Sequence, residues 1–171
     1  MTQESSFMTD APEKRLLEES LRIRKATSEH LQHAIDLDAR ITGQPKPEYW
    51  QDIFERYGSR HVDERFFLVA EPRDPSSGPE ILGLIVGEVR GWEFGSEPCG
   101  WVFAVSVDPD YRQQGIGEAL FQALCEKFRE IGITTVRTMV RRQDPLHMSF
   151  FRSEGMMAGP YIQMELNLED E

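Results

Sequence analysis

CGWVFAVSVDPDYRQQGIGEALFQAL, residues 99 to 124, joins a strand-forming run to a helical one through a turn that carries two glycines. Valines and aromatics crowd Cys99 to Val107, which suits a pleated, buried strand. From Gly115 to Ile131 the period changes. Ile116, Leu120, Ala123, Leu124, Phe128 and Ile131 fall at helical spacings and predict one buried helix face. A single glycine, Gly132, separates that helix from ITTVRTMV (133 to 140), which is rich in β-branched residues. Strand, helix, strand in this order requires a crossover, normally right-handed, with the two strands parallel or nearly so.

Upstream, FFLVAE (66 to 71) and ILGLIVGEVR (81 to 90) flank PRDPSSGP, a turn-rich loop that predicts an antiparallel hairpin. LRIRKAT (21 to 27) reads as an edge strand. Ser28 is placed to cap a helix through Leu31, Ala34, Ile35 and Asp38, which Gly43 ends. A second helix follows Pro47 through Tyr49, Trp50, Ile53, Phe54 and Tyr57 and stops at Gly58. Downstream come a short helix from Pro145 to Glu154 and a last strand, YIQMELNL (161 to 168). Together these elements make a mixed α/β (α+β) layer in one domain, residues 20–171, behind a polar tail, residues 1–19.

At 171 residues the chain can bury roughly two-thirds of its unfolded surface around one core. No apolar run approaches the roughly 20 residues of a membrane span. The first twenty residues lack the order of a secretory signal, so a cytoplasmic location without membrane contact is expected. Cys99 and Cys125 have no paired metal spacing; packed thiols and no metal site are expected. The net charge is −11, but residues 1–20 hold five acids and two bases and residues 165–171 four acids and no base, leaving −4 for residues 21–164. A mildly acidic body does not attract phosphate backbones, so no nucleic-acid partner is expected, and an amine or protein-lysine acceptor suits the charge better.

Three chemistries put glycines between a strand and a helix. A P-loop needs a Gly-Lys pair, which the chain lacks. A dinucleotide fingerprint from Gly115 and Gly117 ends on Leu120 and finds basic Arg137 about twenty residues on. The third pattern is RxxGxG, met here as Arg112, Gln113, Gln114, Gly115, Ile116, Gly117. Small residues there turn successive amides toward one point, and the helix start adds its unsatisfied N–H groups, which makes a pyrophosphate cradle. Arg112 adds charge at the rim, and Val105 to Val107 offer backbone to an amide-bearing ligand. Coenzyme A has both parts.

With Val105, Val107, Pro109 and Tyr111 leading into it, this motif resembles the GNAT superfamily of N-acetyltransferases. The resemblance covers residues 21–168 in element order and residues 101–124 closely. It implies a mixed, mostly antiparallel central sheet of six to seven strands flanked by four helices, with the fourth and fifth strands splayed. It also implies acetyl-CoA as cosubstrate, bound through Val105, Ser106 and Val107 and around the pyrophosphate through Arg112, Gln113, Gln114, Gly115, Ile116, Gly117 and Glu118. An N–H near Val105 would meet the developing oxyanion. The acceptor would attack directly, and the protein could form a homodimer.

The family's usual proton donor, a tyrosine in the fourth helix, corresponds to Phe151, and the asparagine of the same pattern to Asp144; both positions would still line the cofactor. The usual glutamate positions correspond to Trp101 and Met139. Alignment of reactants alone contributes roughly 7 to 11 kcal/mol at best, so strong acid and base help is not obligatory. Glu88 is the best remaining base, because it shares strand parity with Leu82, Leu84 and Val86; a solvent-facing glutamate or an Arg90 pair is an equal alternative. Ser149 can relay a proton to the thiolate, although a surface serine is the commoner role. His147 fits surface or packing better than catalysis. The resemblance implies that the first two helices and the loop after the third strand flank the acceptor mouth; they hold Asp36, Asp38, Arg40, Tyr49, Trp50, Trp92 and Glu93, and carboxylates beside aromatics suit a cation. Taken singly, each is better read structurally, with Tyr49 and Trp50 packing the helix pair and Asp36 and Arg40 forming an i,i+4 surface pair. Arg141, Arg142 and Arg152 are candidates for the ribose phosphate, although solvated basic residues balancing an acidic chain are the commoner role. The function expected is amine N-acetylation, with a protein lysine as acceptor; the alternatives are a small-amine acetyltransferase, for polyamines or metabolites, and a non-catalytic acyl-CoA sensor.

Overall fold

FFLVA and LIV do not alternate polar with apolar, and the structure shows why: both runs are buried on two faces. The computed structural model describes residues 19–59, 64–91 and 93–169. Five strands form one sheet in chain order: β1 (Leu21–Lys25), β2 (Arg65–Pro72), β3 (Gly83–Arg90), β4 (Cys99–Val107) and β5 (Val136–Thr138). The first three pairings are antiparallel and β4 to β5 is parallel, as the crossover through the intervening helix requires.

Phe67, Val69, Leu84 and Val86 join a core with Ala34, Leu37, Trp50, Ile53 and Tyr57. Those partners come from α1 (Leu31–Thr42), α2 (Pro47–Ile53) and the π-helical turn Phe54–Ser59. The alternate side chains meet α3 (Ile116–Glu130), whose Leu120, Leu124 and Phe128 are fully buried. Phe66 meets Phe128 edge to face at 5.4 Å. Gly100 makes room for the same ring, since a Cβ there would lie 2.5 Å from it. The fourth helix, α4 (Pro145–Ser153), belongs to a second compact unit, Met139–Glu171, the first running to Thr138.

Several expectations are corrected. Among the described residues the sheet has five strands, not six to seven. YIQMELNL forms no strand, and residues 157–169 are all exposed; alternation makes a segment fit for a sheet, but pairing needs a free edge within reach. The fifth strand spans three residues rather than eight, because its ladder with β4 stops at Val102 and Thr138. Thr27, not Ser28, caps the turn Ser28–His30 that precedes α1, with its backbone N–H donating to His30 Nδ1 at 2.9 Å. The second helix is α-helical only to Ile53. Cys99 and Cys125 are both buried.

Candidate active site

The β4 and β5 strands run side by side only from Gly100 opposite Val136 to Val102 opposite Thr138. Thr138 Oγ1 donates to the Val102 carbonyl at 2.7 Å, and β4 then continues to Val107 without a second neighbour among the described residues. From Phe103 to Val107 that edge of β4 is therefore unpaired among the described residues. Directly after Val102 the β3–β4 register skips Phe103, a β-bulge that puts two residues of β4 against one of β3 and adds twist.

The bulge decides which main-chain groups face this unpaired edge. The Asp108 N–H donates to the Leu82 carbonyl at 2.8 Å, and the Ser106 carbonyl lies beside Gly83. Strand alternation therefore turns the peptide groups of Val105 and Val107 to the open side. Ser106 has its main chain toward β3 and offers a half-buried side chain at most.

Beyond β4 the chain makes a 3₁₀ turn, Pro109–Tyr111, and enters a loop with left-handed backbone at Gln113 (φ 63°) and Gly115 (φ 81°). Gly115 sits at the N-cap of α3, and no side chain caps this helix. The Ala119 N–H makes the first intrahelical bond, to the Gly115 carbonyl at 3.0 Å. The amides of Ile116 to Glu118 thus stand at the positive end of a fifteen-residue helix, where an anion is favoured. The Ile116 side chain is buried, anchoring the turn, while Gln113, Gln114 and Glu118 are exposed and Arg112 and Gly117 half-buried. Open amide-facing strand and uncapped helix start fit the two halves of coenzyme A.

Asp108 holds this loop in place, a role the sequence reading missed. It is 1% exposed, and its carboxylate accepts from the Asp110 N–H at 2.9 Å and from Arg40 Nη1 at 2.7 Å and Nη2 at 3.1 Å. Arg40 Nη2 also reaches Asp110 at 3.1 Å. Arg40 is thus a strut from α1 to the cradle, with its pKa raised by the Asp108 hydrogen bond and charge, and Asp36 instead accepts from Gln32 at 2.8 Å. The signal available was the Asp-Pro pair after a strand, a turn initiator.

Glu88 lies opposite Trp101 on β4 and Arg65 on β2. Its two oxygens are engaged by Tyr57, whose hydroxyl donates at 3.1 Å, and by Arg90 Nε at 3.1 Å, with Arg65 Nε at 4.0 Å. Arg90 also lies over the Trp101 ring at 4.4 Å, and Tyr57 packs on Phe103 with ring centroids 5.0 Å apart. Burial, then the charge and hydrogen bond of Glu88, push the Tyr57 hydroxyl above its ordinary 10, so it remains a donor. The Arg90 pair is the structural alternative the sequence left open. Tyr57 was read only as a packing residue.

Around α1 and α2 the acceptor candidates divide. Trp50 is 2% exposed and packs on Phe67 and Tyr49, so it is core. Asp38 is buried and pairs with Lys46 Nζ at 2.9 Å, and Lys46 sits 5.8 Å from the half-exposed Tyr49 ring. Trp92 and the side chain of Glu93 lie outside the described residues. In the second unit Asp144 caps α4, accepting from the His147 N–H at 3.1 Å and lying 2.5 Å from its ring Nδ1. Those hydrogen bonds hold the Asp144 carboxyl below its ordinary value. Phe151 is buried; Ser149, Met139, Arg141, Arg142 and Arg152 are exposed. Among the described residues no cluster of His, Cys, Asp and Glu could hold a metal, and no helix is long and apolar enough to cross a membrane.

A family model described as the acetyltransferase (GNAT) family matches residues 31–155. The chain belongs to the GNAT acetyltransferase family. Mycothiol acetyltransferase of Kocuria rhizophila is 31% identical over 105 residues, which are 61% of this chain and 34% of that protein. The ribosomal protein bS18-alanine N-acetyltransferase of Escherichia coli K12 is 33% identical over 54 residues, 32% of this chain and 36% of that one. The chain spans about a third of the length of the curated relatives it matches. Among solved structures, aminoglycoside N-acetyltransferase AAC(6')-Iy in complex with CoA superposes with a TM-score of 0.72 at 15% identity, over 86% of this chain and 95% of that one. An aminoglycoside acetyltransferase from an uncultured soil metagenomic sample, in complex with sisomicin, gives 0.67 at 19% identity, over 89% and 99%. These superpositions establish a GNAT fold.

Proposed function

We propose that this GNAT protein is an N-acetyltransferase that moves an acetyl group from acetyl-CoA to an amine by direct attack, with residues 20–171 acting as one domain. The observation that carries the reading is the open edge of β4 from Phe103 to Val107, running through two left-handed positions into an uncapped helix start. Acetyl-CoA supplies an acyl thioester activated toward amines. Val105 and Val107 pair their peptide groups with the pantetheine amides, and the amides from Gln113 to Glu118 together with Arg112 hold the pyrophosphate. The N–H near Val105 is available to the developing oxyanion. Glu88 takes the amine's proton, with Tyr57 and Arg90 fixing its carboxylate, and Ser149 relays a proton to the departing thiolate. The proposed location is the cytoplasm.

The acceptor proposed is a cation recognised beside acidic and aromatic side chains, a protein lysine first and a small amine second. A thiol-release screen with acetyl-CoA against lysine peptides, polyamines and amine metabolites tests this. Release with peptides supports the first class, and release with free amines alone overturns it in favour of the second. Buried Phe151, which has no hydroxyl to give, favours one other reading, an acyl-CoA sensor. Thermal stabilisation by acetyl-CoA without thiol release from any acceptor selects the sensor; no stabilisation by coenzyme A overturns both readings.

A further inference from the structure

Among the described residues two buried side-chain polar atoms make no hydrogen bond, Asp38 Oδ2 on α1 and Trp50 Nε1 on α2. A buried carboxylate oxygen left without its bonds is costly. Lys46 Nζ lies 2.9 Å from Asp38 Oδ2, so charge is balanced, yet the ammonium stands off the hydrogen-bonding direction. It also lies 5.8 Å from the centre of the half-exposed Tyr49 ring. A carboxylate with an aromatic face beside it suits a ligand's ammonium, and here it holds the chain's own. The backbone around Lys46 is braced: Thr42 Oγ1 donates to the Asp38 carbonyl at 2.8 Å, the Gly43 N–H to the Ala39 carbonyl at 2.9 Å, and Pro45 and Pro47 flank the lysine. Its side chain is 40% exposed, against 9% for that of Asp38, and is free to swing into water. Both helices border the proposed chemistry. Arg40, two residues past Asp38, holds Asp108 just beyond β4, and Tyr57, past the end of α2, donates to Glu88.

We propose that Lys46 is a tethered stand-in for a positive group of the acceptor, which binds by displacing it from Asp38 and Tyr49. The inference rests on the N-acetyltransferase reading above and deepens it. Asp38 and Glu88 have no side-chain partner in common. The nitrogen that is acetylated sheds its proton to Glu88, so the ammonium on Asp38 is a second one. The acceptor is then an amine with a further ammonium group, supplied by a linear polyamine or by a peptide carrying two lysines. Exchange trades one cation for another, and Asp38 is never left buried and unpaired. Selectivity follows, because an acceptor with a single amine has no group left to displace Lys46.

Chemical rescue tests the site without the reaction. Butylamine, which reproduces a lysine side chain, should raise the melting temperature of Lys46→Met but not that of the natural chain or of Lys46→Met combined with Asp38→Asn, and butanol should raise none. Equal responses of the natural chain and Lys46→Met, or a rescue that survives Asp38→Asn, overturn the proposal. Lys46→Gln serves the same test should the methionine variant not fold. In turnover, Lys46→Met should lower KM about tenfold for spermidine or for a two-lysine peptide, the factor expected if Lys46 vacates Asp38 about a tenth of the time. KM for a one-lysine peptide with blocked termini should not move. Whichever doubly charged probe responds identifies the source of the acceptor. Thiol release with KM unchanged for both overturns the proposal. Absence of thiol release from every acceptor overturns the acetyltransferase reading, and the rescue then decides by itself whether Asp38 is a cation site.

Discussion

Glu88 and Tyr57 place a negative and a neutral group where β3 meets β4 at Trp101, next to the last residues that β4 shares with β5. Replacing Glu88 by Gln keeps the side chain's size and its bond from Tyr57 while removing the base. Turnover should fall about a hundredfold or more, the shape of the pH–rate profile should change, and coenzyme A affinity should stay. An unaltered rate and profile would assign Glu88 to the Arg90 and Tyr57 network alone. Asp108 makes a different case, since it touches no substrate in the proposed mechanism. Asp108→Ala removes a turn cap and leaves Arg40 without its main partner, which should cost about 2 kcal/mol of stability and weaken coenzyme A binding. Urea unfolding and calorimetric titration read the two effects, and Asp108→Asn, which keeps the cap, should recover part of each. Loss of stability with affinity intact would separate Asp108 from the cradle.

At the scale of elements, the route from β4 into α3 was legible because each part has its own local signal: β-branched run, Asp-Pro turn, glycines, helical period. The early end of the β4–β5 pairing has no such local signal. Nothing in ITTVRTMV marks Thr138 as the last paired residue, since pairing depends on a neighbour distant in sequence. The same limit explains YIQMELNL, whose alternation specifies a strand without specifying a partner. Trp50 shows a related limit: an aromatic on a helix beside the mouth has the same local signature whether it faces a ligand or Phe67, and packing, the alternative read for it, is what the structure shows. The cradle itself rests on backbone, so its test is conformational. Gly115 at φ 81° tolerates no β-branched residue without strain. Gly115→Val should raise the coenzyme A dissociation constant at least about tenfold, since losing roughly 1.4 kcal/mol of binding suffices. A circular dichroism spectrum should show the sheet and helices retained. Unchanged affinity would place the pyrophosphate elsewhere.

For the whole molecule, the far edge of the sheet carries its own electrostatic fastening, away from the proposed chemistry. Glu71 on β2 is 7% exposed and meets Arg24 Nε at 2.8 Å, His30 Nε2 at 3.1 Å and Arg22, tying β1 and the turn before α1 to the sheet. Burial alone would raise its pKa, but hydrogen bonds from Arg24, His30 and Arg22 outweigh burial and hold the carboxyl at about 2, below its ordinary 4.5. The folded pKa is the lower one, so this stabilisation is present above the unfolded value and is lost as pH falls from 4.5 through about 2. Because Arg22 is mostly exposed, solvent screening reduces the contribution to about 2 kcal/mol. Glu71→Gln should therefore be less stable than the natural chain at pH 7, and the gap in urea midpoint should narrow steadily below pH 4.5 until it nearly closes near pH 2. The difference between the two proteins isolates Glu71, since every other acid titrates in both. A gap that stays constant through this range would mean that the arginines hold Glu71 by shape and packing, and that its charge contributes nothing to the joint between β1 and β2.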